Sequence, residues 1–186
     1  NPAGGKAPLW SFNIASVGAD AFISQMTNRL KSLFPGDSYK LWVDVASVFY
    51  DLIWPPAPIS VRILDAQGRP GASFTSPCLL FAVGVSGHRT YGSNKPILPD
   101  DDNACAVFQM SLFRKLAFKD RIASGGHRGL GEDVVRLFSG TRFELDYPRG
   151  ILLQRDGEVD ELGPADFPLV MEVTEPLYHV VEAARP

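Results

Sequence analysis

The hydrophobic period of this chain shifts from mainly helical to mainly strand-like at Pro55-Pro56, and that shift limits what the chain can fold into. Before the prolines the period is helical: Phe22, Ile23, Met26, Leu30 and Leu33 form one stripe over residues 20–33, closed by Pro35-Gly36. A start signal at Asp37-Ser38 opens a second predicted helix over residues 39–53. Its Leu41, Trp42, Val45, Val48, Phe49, Leu52 and Ile53 cover much of the surface, so burial is expected.

After the prolines the period is two. Residues 59–64 alternate, Asp65-Ala66-Gln67-Gly68 turns, and the chain returns around Phe74 as a hairpin. Near-continuous apolar runs over 79–85 and 104–113 predict central strands. Residues 116–122 predict a short helix, and 132–138 fit either a helix or a strand. Further short strands are expected over 143–147, 151–154, 169–174 and 177–181. The sum is a mainly β fold with α: a β-sandwich decorated by two or three helices, in a single domain over 186 residues.

Composition narrows the function. A net charge of −3 leaves no basic stripe to neutralise phosphates, so no nucleic acid is expected as partner. Arg114, Lys115, Lys119 and Arg121 form a short basic run, which reads as a solvated face. Cys78 and Cys105 sit in apolar surroundings without a CxxC, and the three histidines lack metal-ligand spacing. Buried free thiols in a reducing, cytoplasmic compartment are therefore expected. No stretch approaches the ~20 apolar residues of a membrane span, and no signal-peptide pattern opens the chain.

Four segments could carry chemistry. In Asp156-Gly157-Glu158, two carboxylates share a tight turn between β segments, which suits water, a cation or a substrate; Asp-Gly is equally the commonest hairpin-turn dipeptide. In Ser16-Val17-Gly18-Ala19-Asp20-Ala21 a strand passes through glycine into a helix, where Asp20 could serve a site or charge the helix start. Asp100-Asp101-Asp102-Asn103 offers oxygen ligands without EF-hand spacing, and reads also as a solvated acidic turn. Gly125-Gly126-His127-Arg128-Gly129-Leu130-Gly131 looks phosphate-cradling but follows no strand of a βαβ unit, and reads as a loop.

The order of these features carries a resemblance. A strand at Phe12-Asn13, then Ser16-Val17-Gly18-Ala19-Asp20-Ala21, two helices, an alternating strand, a glycine-rich loop ending in Pro99 and finally Asp156-Gly157-Glu158 resembles the C-terminal half of the diacylglycerol kinase and sphingosine kinase superfamily. Bacterial lipid kinases and ceramide kinase belong to the same group. The match runs from about Trp10 to Val181.

The resemblance implies a two-domain kinase. An N-terminal domain with a GGDGT motif would bind ATP, and a C-terminal β-sandwich would bind the acceptor, a diacylglycerol-like or sphingoid lipid. By that match Glu158 is the base activating the acceptor hydroxyl, and Asp156 supports the metal or orients the site. Asp20, with Gly18 and Ser16, would lie near the acceptor head group, sharing one cleft with Glu158. Magnesium and ATP are the implied cofactors. The implied partners are the lipid, the nucleotide-binding domain of the same polypeptide, the membrane as a peripheral contact and a second copy of the chain.

The chain departs from that pattern in two places. GGDGT is absent, and Asn1-Pro2-Ala3-Gly4-Gly5-Lys6 only echoes the segment that opens the nucleotide domain, so a fragment, inactive on its own, is expected. Cys105-Ala106 stands where family members often carry the Asp-Gly pair of a structural magnesium site, leaving Asp100, Asp101 or Asp102 as substitute ligands. Two other readings stay open: a kinase-like sandwich serving as a non-catalytic binding or regulatory module, and an unrelated β-sandwich for structure or interaction. The latter would be favoured by Asp20 and Glu158 on opposite faces.

Overall fold

The computed structural model describes residues 7–31, 33, 41, 45, 48–84, 89–90, 96–98 and 102–174. The chain enters through β1 (Ile14–Gly18) and turns directly into helix α1 (Ala19–Lys31). Residues 41, 45 and 48 are helical, as is the short α2 (Tyr50–Ile53), with Phe49 a turn residue between; the other residues of the second expected helix lie outside the described residues.

Then come β2 (Pro58–Leu64) and β3 (Pro70–Gly84), joined by the predicted Asp65 turn. The alternation in β2 puts Ile59, Val61 and Ile63 inside, as period two requires. β3 is one strand of 15 residues where the sequence suggested two. A small ribbon of β4 (Arg89–Thr90) and β5 (Pro96–Leu98) precedes β6 (Ala104–Phe108).

β6 ends sooner than its apolar run. Ser111 adopts an extended conformation and accepts from the Arg114 N–H, so the chain starts helix α3 (Leu112–Ala123) inside the stretch expected to be strand. A 3-10 turn at Gly126–Gly129 follows, then β7 (Val135–Phe138), which resolves the helix-or-strand ambiguity in favour of a strand. β8 (Arg142–Asp146), β9 (Ile151–Arg155), β10 (Glu158–Leu162), a 3-10 turn at Pro164–Asp166 and β11 (Leu169–Glu172) complete the order. The strand expected over 177–181 lies outside the described residues.

Nine strands form one curled antiparallel sheet in the order β10-β9-β1-β3-β2-β8-β11, with β6 and β7 continuing from β3. β3 makes the curl possible. Its first half pairs with β2, its second with β1 and β6, so both halves of the sheet share one strand. The concave side holds a core in which Val17, Phe81 and Leu153 from one half meet Ile59, Phe143, Leu145 and Leu169 from the other. The opposite side of β1 and β3 is covered by α1 and α2, where Ile14, Phe22, Tyr50, Leu79 and Val107 pack together. The fold is therefore mostly β with few helices.

Both cysteines are free and buried, and burial pushes each thiol up to about 12. Lys115 corrects the reading of its basic run as solvated. Its side chain is 9% exposed, and its ammonium donates to the Val48 carbonyl at 2.6 Å and to Asp51, itself 8% exposed. One buried ion pair thus fastens α3 to the start of α2.

Candidate functional site

The Asp-Gly-Glu turn is a two-residue hairpin loop between β9 and β10, with Glu158 paired to Arg155. Asp156 (φ 50°) and Gly157 (φ 96°) both take positive φ, as the mirror-image turns favoured in tight hairpins demand. Nothing crowds Gly157, so backbone conformation alone selects glycine there.

Asp156 is engaged with the chain entry. Its carboxylate accepts from the backbone N–H groups of Phe12 (2.5 Å), Asn13 (2.9 Å) and Ile14 (3.0 Å), while its own N–H donates to the Ile14 carbonyl. Burial opposes ionisation here, yet the donors of Ile14, Phe12 and Asn13 hold the carboxyl below the usual range. With three donors on its oxygens, Asp156 is arranged to fix the turn against β1. That geometry suits an orienting role.

Glu158 points outward. Its side chain is 81% exposed and lies 3.6 Å from the Arg155 guanidinium. Arg155 itself is committed: Nε and Nη2 both donate to Asp160 Oδ2, and Nη1 donates to the Trp10 carbonyl. Glu158 is thus a carboxylate on a fixed mount, open to whatever approaches that end of the sheet.

Ser16, Gly18 and Asp20 form a second, separate group. Gly18 (φ 93°) turns β1 into α1 against β3, where a Cβ would stand 2.4 Å from the Leu79 carbonyl oxygen. Only glycine meets both demands. Ser16 is fully buried, and its hydroxyl hydrogen-bonds Asp20 and lies 3.1 Å from Gln154 Oε1. The hydroxyl donates to the Asp20 carboxylate or to Gln154 Oε1, and its single proton serves one acceptor at a time.

Burial pushes the Asp20 carboxyl up to about 6, partly countered by the Ser16 hydrogen bond. The folded state therefore holds the carboxyl proton more tightly than the unfolded chain, whose carboxyl titrates near 3.8. Stability contributed by Asp20 is fully present below about pH 4 and falls as pH rises toward 6, at about 1.4 kcal/mol per unit. Urea midpoints across pH 4 to 7 should show this fall in the wild type and a flatter profile in Asp20→Asn. Matching profiles would refute the burial account.

The register separates the two groups. Ser16 pairs with Gln154, and Ala15 with Arg155. Cross-strand partners share a face and neighbours alternate, so Ser16, Gln154 and Asp20 lie on the helix-covered side, whereas Arg155 and its partner Glu158 lie on the other. Asp20 and Glu158 do not share a cleft in this structure.

Among the acidic-loop residues, Asp100 and Asp101 lie outside the described residues, and Asp102 is half-buried. Among the described residues no group of three or more His, Cys, Asp or Glu side chains could hold a metal. Two site neighbours escaped the sequence reading. Gln154 was visible as the polar end of an apolar strand run, and Arg155 as a cation directly before an acidic turn.

The Glu158 face carries an open cleft of about 160 Å³ lined by residues of β1, β3, β9 and β11 and by residues 8–11. Ala15, Val83 and Leu153 line it from one half of the sheet and Leu169 and Met171 from β11, together with Trp10 and Arg155, whose Nη1 donates to the Trp10 carbonyl. It sits where β1 begins and β3 and β9 end, beside the Asp156 turn.

No protein-family profile matches the chain, and no curated protein does. Solved structures do resemble it. A diacylglycerol kinase from Bacillus anthracis str. Sterne is 11% identical with a TM-score of 0.46, the match covering 82% of this chain and 44% of that one. A second chain from the same organism, a candidate diacylglycerol kinase, is 16% identical with a TM-score of 0.47, covering 88% and 54% respectively. This chain spans about half the length of these structures.

Proposed function

We propose that this chain is the acceptor-binding half of an ATP-dependent lipid kinase, in which Glu158 takes the proton of a diacylglycerol-like or sphingoid hydroxyl. The observation that carries the reading is Glu158 itself: an exposed carboxylate on a hairpin pinned to the chain entry by three hydrogen bonds to Asp156, 3.6 Å from Arg155, which lines an open cleft. The motif order that resembles lipid kinases supplies the reaction class.

Phosphoryl transfer is catalysed mostly by positioning and charge, with one group receiving the hydroxyl proton. The acceptor oxygen attacks the terminal phosphorus of ATP, the bond to the bridging oxygen breaks, ADP leaves and the proton passes to Glu158. Asp156 keeps that carboxylate in place. In this reading magnesium-bound ATP comes with a nucleotide-binding half, since the described residues here include no group of three or more His, Cys, Asp or Glu side chains placed to hold a metal. The lipid is met at the membrane surface as a peripheral contact; no described helix is long and apolar enough to cross a bilayer.

The test uses the full-length parent. Glu158→Gln should lower lipid phosphorylation at least about a hundredfold while leaving the unfolding midpoint unchanged. Asp156→Asn should mainly lower stability, by about 1–2 kcal/mol, because backbone donors lose a charged acceptor. Undiminished turnover in Glu158→Gln would remove the proposed base, and the isolated chain should show no transfer. The placement of Asp20 and Glu158 on opposite faces favours a second reading, a β-sandwich unrelated to kinases that serves structure or protein interaction. A parent protein unable to phosphorylate any lipid would select it.

A further inference from the structure

We infer that the cleft on the Glu158 face, rather than the helix-covered side holding Asp20, seats a hydrocarbon segment of about six carbons belonging to a small amphiphile with a hydroxylated head. Its assignment as the phosphoryl acceptor rests on the kinase reading; the binding itself does not.

Size comes first. An apolar cavity of about 150 Å³ accommodates one benzene ring, and this cleft is about 160 Å³. A six-carbon segment fits, and a longer tail has to continue through the open side. The lining comes second. Ala15, Val83, Leu153, Leu169 and Met171 present hydrocarbon, and Trp10 adds an aromatic ring to the lining.

Polar groups cluster where β1 starts and β9 ends, with Arg155 and Asn13 among the lining residues. Arg155 meets Glu158 at 3.6 Å, so a head group at that end comes beside the carboxylate. A tail against Ala15, Val83, Leu153, Leu169 and Met171 with a head at Arg155 matches these apolar and polar lining residues.

The face assignment is independent of these considerations. Ala15, Arg155 and Glu158 share one side by register, and Ser16, Gln154 and Asp20 share the other. The Ser16-Asp20-Gln154 group is buried and satisfied by its own members. A ligand reaching Glu158 from this cleft does not touch Asp20.

The experiment is calorimetric titration of the chain with 1-O-alkylglycerols from butyl to decyl, each below its micelle concentration. Affinity should rise about fourfold per methylene up to about hexyl and then level off, with a blue shift of tryptophan emission as Trp10 is covered. Ala15→Leu and Met171→Phe fill the cleft and should each weaken octylglycerol binding at least about tenfold. Met26→Leu, packed on the helix-covered side, should leave binding within about twofold.

Circular dichroism identifies which cleft variants fold, and either one suffices for the decision. No saturable binding by the wild type, or wild-type affinity in a folded cleft variant, overturns the inference. An inactive parent protein with binding that Ala15→Leu abolishes would end the kinase reading and uphold the cleft.

Discussion

Lys115→Ala should cost about 3–5 kcal/mol of folding stability, because it strands the Asp51 carboxylate in a site where water cannot replace the lost ammonium. Both side chains are more than nine-tenths covered. The Val48 carbonyl loses its donor in the same substitution. Against a typical total of about 5–15 kcal/mol, this is a large fraction of what holds the domain together.

A buried pair is costly to break and cheap to replace, so the double variant Asp51→Leu with Lys115→Met should recover most of the loss. Urea unfolding of the two single variants and the double closes the cycle. A double variant no more stable than Lys115→Ala would show that packing, not charge, dominates this contact. Because the pair joins α3 to α2, the single variant should also loosen the helix-covered side first.

Gly18→Ala should cost about 3 kcal/mol or more, from two separate causes. A positive φ strains any residue with a side chain by about 1–3 kcal/mol, and the new methyl would stand 2.4 Å from the Leu79 carbonyl oxygen. Backbone cannot rotate out of the way as a side chain can. Gly157→Ala supplies the control, since Gly157 has the same sign of φ and open space around it. Urea midpoints should place Gly18→Ala about 2 kcal/mol below Gly157→Ala. Equal losses would mean that β3 yields to the methyl group, and that Gly18 is selected by conformation alone.

The fold was legible in the sequence wherever a single face is buried. β2 alternates and buries every second residue; α1 follows its 3.6 stripe to within a residue or two. The misses have local causes. β10 escaped because Glu158, Asp160 and Glu161 give an edge strand an acidic, loop-like sequence. The apolar run after Ala104 concealed a change of structure, because a strand and a buried helix start are equally hydrophobic and only the Ser111 cap marks the boundary.

The candidate site was legible as residue types and not as faces. Asp156, Glu158, Ser16 and Asp20 all stood out, but which side of the sheet each occupies depends on register. A shift of one residue reverses it, and sequence period alone does not fix it across strands distant in the chain. Lys115 shows the same limit for charge. A lysine beside Arg114 reads as solvated until an acid 64 residues away is placed against it.

β3 has a mechanical consequence. Because one strand belongs to both halves of the sheet, no seam exists along which the halves can part while each stays intact. Partial opening has to proceed from the rims, at β10, β7 or β11, and the amides of β3 should be released only when the whole domain lets go. A chain built this way behaves as a single cooperative unit. Any hinge it uses in a larger protein therefore has to lie outside the sheet.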